Sequence, residues 1–145
     1  MQRLVKALAS CGPVGYIPIA SGSVASLIGV GLFAALGSFP ALYAEVTLGV
    51  VVLSFAVTMR AEALFGEDDP RIVLDEVAGQ MVSLLWIPVS AGWATWGFFL
   101  FRFFDIFKPP PIRWLEERLG PAGVCADDVA AGLYTLLILQ LIKIL

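Results

Sequence analysis

The sequence predicts an all-α fold: a small polytopic membrane helix bundle with about four to five membrane-embedded helices plus one short interfacial helix. Three observations carry that expectation. Hydrophobic residues make up 59% of the 145-residue chain and charged residues 14%, where a soluble domain is about half apolar and about a quarter charged. The apolar residues fall into runs separated by Gly and Pro. The charges concentrate in every second connection between those runs.

Taken in order, the chain opens with a polar stretch, 1–23. LASC at 8–11 follows Arg3 and Lys6 like a lipoprotein cleavage box, but the apolar core of ~7–15 residues that a signal peptide needs is missing. The N-terminus therefore reads as a retained, short amphipathic or irregular lead-in. Apolar runs follow at 24–36, 41–59, 72–89, 91–104 and 129–145. A helical crossing needs ~20 residues, with ~17 as a lower limit. The second, third and fifth runs meet this; the first and fourth must borrow flanking residues. GSFP at 37–40 and PVSAG at 88–92 are the breaks. Alternating crossings place the connections 1–23, 60–72 and 105–128 on one side. These hold Arg3, Lys6, Arg60, Arg71, Lys108, Arg113 and Arg118, with Arg102 at their edge and only Lys143 at the far end. By the positive-inside rule that side is cytoplasmic, which predicts a multi-pass membrane protein.

Composition also excludes. A net charge of −3 with no basic face argues against a nucleic-acid partner, and the length suits one domain, 1–145. Two cysteines, Cys11 and Cys125, and no histidine leave neither a disulfide framework nor a zinc site. A metal here should be bound by oxygen.

The acids suggest which metal. VLDEVAGQ (73–80) and CADDVAAGL (125–133) each place a carboxylate pair at the expected start of an apolar helix, with Gly79 and Gly132 about one turn later. Singly, such acids are ordinary helix N-terminal residues, favoured by the dipole. Together, Asp75, Glu76, Asp105, Asp127 and Asp128 are brought to one membrane surface by the crossing count, and five clustered carboxylates repel one another unless a cation joins them. Mg²⁺, which takes oxygen ligands while keeping waters and phosphate oxygens, suits acids from separate helices. The two glycines allow close helix approach.

FRFFDIFKPPPIRW (101–114) adds the bases. Arg102 is three residues before Asp105, the spacing of a helical ion pair. Lys108 and Arg113 serve either as phosphate partners or as snorkelling contacts to lipid head groups. Pro109, Pro110 and Pro111 end the preceding helix. IRWLEERLG (112–120) reads as a short helix on the membrane surface, placed to hold Arg113 over the site.

These blocks, with IPIASGSVASL at 17–27, resemble the phosphatidylglycerophosphatase A family over nearly the whole chain, in the family's order and spacing. The most specific parts are DPRIVLDEVAGQ (69–80), FRFFDIFKPPPIRWLE (101–116) and GPAGVCADDVAAGL (120–133). In the N-terminal block Pro18, Ala20, Gly22, Ser26 and Leu27 match. Ser21 replaces a usual proline, Ser23 a threonine whose hydroxyl it keeps, and Ala25 a glycine at an expected phosphate-facing loop. The resemblance implies Mg²⁺-dependent hydrolysis of the phosphate monoester of phosphatidylglycerol phosphate, giving phosphatidylglycerol in phospholipid synthesis. Asp75, Glu76, Asp105, Asp127 and Asp128 would bind Mg²⁺ and position or deprotonate water; Arg102, Lys108, Arg113 and Ser23 would hold substrate. With no histidine and no Cys-x₅-Arg loop, metal-activated water is the simplest route. The alternatives are a phosphatase for another lipid or a polyprenyl phosphate, a small ion or proton transporter, and a purely structural membrane subunit.

Overall fold

A computed structural model describes residues 1–67 and 69–145. Among the described residues the chain is all-helical. It runs α1 (Gln2–Ala9), a 3₁₀ turn (Val14–Tyr16), α2 (Ser21–Leu36), α3 (Pro40–Phe65), α4 (Leu74–Ser83), α5 (Ala91–Phe107), α6 (Ile112–Arg118) and α7 (Pro121–Ile144).

The N-terminal lead-in is the amphipathic helix α1, whose Val5 and Ala9 pack on Val57 and Ala61 of α3 and on Ile72 and Leu74. Proline opens both long helices, Pro40 for α3 and Pro121 for α7, where its missing N–H has no intrahelical acceptor to lose. Ser90 caps α5 by accepting from the Trp93 N–H at 3.2 Å. That helix stops at Lys108, in left-handed geometry just before the three prolines.

α4 is the centre of the bundle. α2, α3, α5 and α7 all pack on it, and every residue of α4 except Glu76 is buried. Met81, Leu84 and Leu139 form the core with Phe33 and Tyr43. The buried Tyr43 hydroxyl donates to the Met81 carbonyl at 2.7 Å, the partner a desolvated phenol requires.

This corrects one expected crossing. The run 72–89 is not a single span: its helix has 10 residues, about 15 Å at ~1.5 Å per residue, half of a ~30 Å hydrocarbon layer. After Ser83 the chain turns irregularly to Ser90. The run is apolar because it is buried in protein. Among the described residues α3 and α7, with 26 and 24 residues, are the two helices long and apolar enough to cross a bilayer. Their outward residues, Leu48, Val52, Leu53 and Met59 on α3 and Leu133, Leu137 and Leu141 on α7, are exposed apolar side chains, consistent with membrane association.

The ends of the bundle separate as the alternation predicts. The two breaks meet at one end, where Gly37, Ser38 and Pro40 face Trp86, Ile87 and Pro88 across a cavity. Lys143 lies at that end too, donating to the Trp86 carbonyl at 3.0 Å. The N-terminus of α2, the segment before α4, the end of α5 and the first turns of α7 meet at the other.

Candidate active site

A cavity of about 140 Å³ opens at that second end. Its acidic wall is Asp75 and Glu76 from α4, Asp105 from α5, Asp127 and Asp128 from α7, and Asp69 from the segment before α4. All five carboxylates singled out in the sequence are therefore brought together.

Each helix delivers its acids differently. Asp75 and Glu76 occupy the first turn of α4, where the helix dipole favours negative charge. Asp105 lies in the last turn of α5, where the dipole disfavours it, and Arg102 one turn earlier offsets this by donating to its carboxylate. The Asp127–Asp128 pair corrects an expectation. α7 begins at Pro121, so these acids sit well inside the helix and gain nothing from its N-terminal N–H groups. The GP step at 120–121 was the available sign of that earlier start.

Asp128 lies within hydrogen-bonding reach of both Asp75 and Asp105, so carboxylates from α4, α7 and α5 form a connected row. Asp75, Asp127 and Asp128 are 2%, 3% and 4% exposed. Ionised carboxylates in such contact, out of water, need a shared proton or a cation between them. The approach is possible because α4 and α7 cross backbone to backbone: a Cβ on Gly79 would stand 2.5 Å from the Asp128 carbonyl oxygen, and one on Gly132 would collide with the Gly79 carbonyl.

The bases divide into three kinds. Lys108 lines the cavity, its ammonium 2.8 Å from Asp127 Oδ2 and 2.7 Å from Glu116 Oε1. Burial opposes its charge, but the hydrogen bonds to Asp127 and Glu116 outweigh that and hold its pKa above the ordinary lysine value. Arg102 stands behind the acids, bonded to Asp105 and 3.6 Å from Glu76 Oε1; it balances their charge and does not line the cavity. Arg113 is exposed on α6 and also lies outside the lining.

Two expectations about the N-terminal block change. Ser23 and Ala25 lie within α2, not in a loop, and Ala25 is fully buried. Ser21, the first residue of that helix, is the hydroxyl that reaches the cavity wall, where it donates to the Pro70 carbonyl at 3.2 Å. Glu116 and Asp69 were not singled out either. Glu116 is eight residues from Lys108 across a proline turn, a separation no helical period flags. Asp69 binds Arg71 through both carboxylate oxygens at 2.8 Å, and those hydrogen bonds hold its pKa below the usual carboxylate range.

The donor set fits a hard cation. It is all oxygen, and Glu76 Oε2 is a buried acceptor with no hydrogen-bond partner. Among the described residues no three such side chains already converge as a closed cage. Mg²⁺ does not need one, since it usually retains several waters and substrate oxygens alongside one or two carboxylates.

Comparison with known proteins identifies the family. Residues 7–143 match the phosphatidylglycerophosphatase A family. The chain is 32% identical over 132 residues to a phosphatidylglycerophosphatase A of Escherichia coli, covering 88% of this chain and 77% of that one. It is 42% identical over 78 residues to a protein of the same name from Haemophilus influenzae, covering 52% and 48%. A Bacteroides thetaiotaomicron protein named "Putative phosphatidylinositol-3-phosphatase" is 35% identical over 139 residues, covering 89% and 87%. No solved structure matches. With nearly its whole length matched, this chain belongs to the phosphatidylglycerophosphatase A family and is a phosphatase.

Proposed function

We propose that the protein hydrolyses the phosphate monoester of phosphatidylglycerol phosphate at the inner face of the bacterial cytoplasmic membrane, in phospholipid synthesis, with Mg²⁺ as cofactor. The observation that carries this is that Asp75, Asp105 and Asp128, from three helices, line one cavity beside Lys108. Structural acids at helix ends would be spread toward solvent, whereas Asp75 and Asp128 are buried.

Asp75, Glu76, Asp105, Asp127 and Asp128 are the residues that would hold the ion. Its chemistry, when bound, is to acidify water and to offset charge on phosphoryl oxygens. The protein supplies the rest. Lys108 has three donors; two are committed to Asp127 and Glu116, leaving one for a phosphate oxygen in the cavity. The buried aspartates keep bulk water out, and one of them accepts the proton of the attacking water. α2, α3, α5 and α7 are read as membrane-embedded around α4, with α6 at the surface and the acidic end facing the cytoplasm. Such an arrangement presents the cavity at head-group level.

The B. thetaiotaomicron relative's name, together with Ser21, Ser23 and Ala25 in the N-terminal block, favours one second reading, a phosphatase for a different lipid phosphate. The ion-transport reading gives way to family membership. Phosphate release from a panel of defined lipid phosphates, with Mg²⁺ and with excess chelator, tests all of this. Fastest release from phosphatidylglycerol phosphate, abolished by chelation and restored by Mg²⁺, is expected. Preference for another lipid selects the second reading, and undiminished turnover in chelator overturns the metal role.

A further inference from the structure

The short helix α6 faces two ways. Ile112 is fully buried and clusters with Phe101 of α5 and Ala131 of α7. Four residues on, the Glu116 backbone lies against Gly123, where an added Cβ would stand 2.5 Å from the Glu116 carbonyl oxygen. α6 therefore runs antiparallel along the first turns of α7, its inner face fixed by close packing. On that face Glu116 Oε1 holds the Lys108 ammonium at 2.7 Å, the same ammonium that meets Asp127 in the acidic cavity at 2.8 Å.

The outer face carries Arg113, Trp114, Glu117 and Arg118, all exposed. Among the described residues neither arginine lies within ion-pair distance of a carboxylate. Arg118 instead places its guanidinium 5.6 Å over the Trp114 ring, a cation–π contact, and the indole is 52% exposed. An outward indole flanked by two uncommitted arginines is complementary to an anionic head-group layer, where Trp sits at the polar boundary and Arg pairs with lipid anions. The level fits as well. α6 lies beside the first turns of α7, a helix long and apolar enough to cross a bilayer, and those turns carry Asp127 into the cavity.

We propose that α6 docks on anionic lipid head groups through Arg113, Trp114 and Arg118, and that Glu116 passes this contact to Lys108, so that anionic lipid other than substrate activates hydrolysis. This rests on reading the acidic cavity as a lipid-phosphate hydrolase site at the membrane surface. Trp114 and Glu116 are two residues apart on one helix. Restraining its outer face restrains the carboxylate that aims the ammonium. Both are positioning residues, since neither lines the cavity.

The test uses the full chain in nanodiscs of phosphatidylcholine, with or without phosphatidylserine, at saturating Mg²⁺ and with trace phosphatidylglycerol phosphate as substrate. Phosphatidylserine is anionic but has no phosphomonoester. It should raise the wild-type kcat/KM about 5–30-fold, the scale that two arginines at an anionic surface supply. Arg113→Gln/Arg118→Gln and Glu116→Gln should each abolish most of that gain, whereas Arg60→Gln, at an exposed arginine of α3, should keep it. Docking is read separately, as quenching of tryptophan fluorescence by phosphatidylserine bearing a head-group nitroxide. The quenched component that disappears in Trp114→Phe should shrink in the double arginine variant and persist in Glu116→Gln. A gain kept by the double arginine variant, or lost equally in Arg60→Gln, would overturn the docking surface. A gain kept by Glu116→Gln would overturn its transmission to Lys108. A wild type whose Trp114 is quenched but that releases no phosphate in either nanodisc would sink the hydrolase reading, and with it the activation, while leaving α6 as a lipid-docking helix.

Discussion

Replacing Gly79 by alanine perturbs the spacing of the aspartates without touching any of them. The added methyl would stand 2.5 Å from the Asp128 carbonyl oxygen and 2.7 Å from the Phe101 ring, about 1 Å inside the ~3.5–4.0 Å at which non-bonded atoms are comfortable. One neighbour is backbone and the other a fully buried ring, so neither yields cheaply. α4 and α7 must separate, carrying Asp75 away from Asp128. Overpacking of this kind costs about 1–3 kcal/mol, and a displacement of ~1 Å at a reacting centre costs roughly 10²-fold in turnover. Unfolding midpoints in detergent and phosphate release from lipid micelles measure the two effects on one preparation. Gly49→Ala is the comparison, because among the described residues nothing lies within 4 Å of its added Cβ; it should match wild type in both assays. A Gly79→Ala enzyme with wild-type turnover would show that the α4–α7 crossing does not set the geometry of the site.

Three further outcomes follow from the same site. Asp75→Asn and Asp127→Asn should each lower kcat by at least about 10²–10³-fold, the scale of losing one preorganised electrostatic partner, while the helical circular-dichroism signal stays; a variant with full turnover would remove that residue from the mechanism. Lys108→Met and Glu116→Gln should be non-additive in a double-mutant cycle, with a coupling of about 0.5–3 kcal/mol in kcat/KM, because Glu116 holds the ammonium that faces the cavity; strict additivity would show that the 2.7 Å contact has no functional weight. For Asp69, the folded pKa is depressed by Arg71. Its stabilising contribution is therefore complete above the unfolded value of ~3.9 and disappears as pH falls through the folded value. The midpoint difference between wild type and Asp69→Asn should be present at pH 7 and close below about pH 4; a difference that grows on acidification would contradict the pairing.

How far the sequence reaches depends on what each feature needs. The breaks at 37–40 and 88–92 and the stop before Pro109 were readable, because glycine and proline act through the local backbone. The acids of the site were also readable, because alternating runs fix which connections share an end. Ten residues of α4 were mistaken for a crossing because burial in protein and burial in lipid select the same side chains; hydropathy has no means of telling them apart. Arg102 and Lys108 look alike along the chain as bases beside an acid. Which of them faces the cavity was decided by the left-handed turn at Lys108, which swings it toward Asp127 while Arg102 stays on the helix behind Glu76. Glu116 and Ser21 were hidden for the same reason, since their partners lie across turns and not along a helix.

By itself, then, the sequence determined that this chain is helical, apolar outside, and acidic at one end, since composition and the order of runs are properties of the chain alone. Only the tertiary structure decided which acids touch, which base joins them, and which apolar helix is interior. Those are set by how closely α4 and α7 approach at Gly79 and Gly132, a distance that arises between segments and is written in neither.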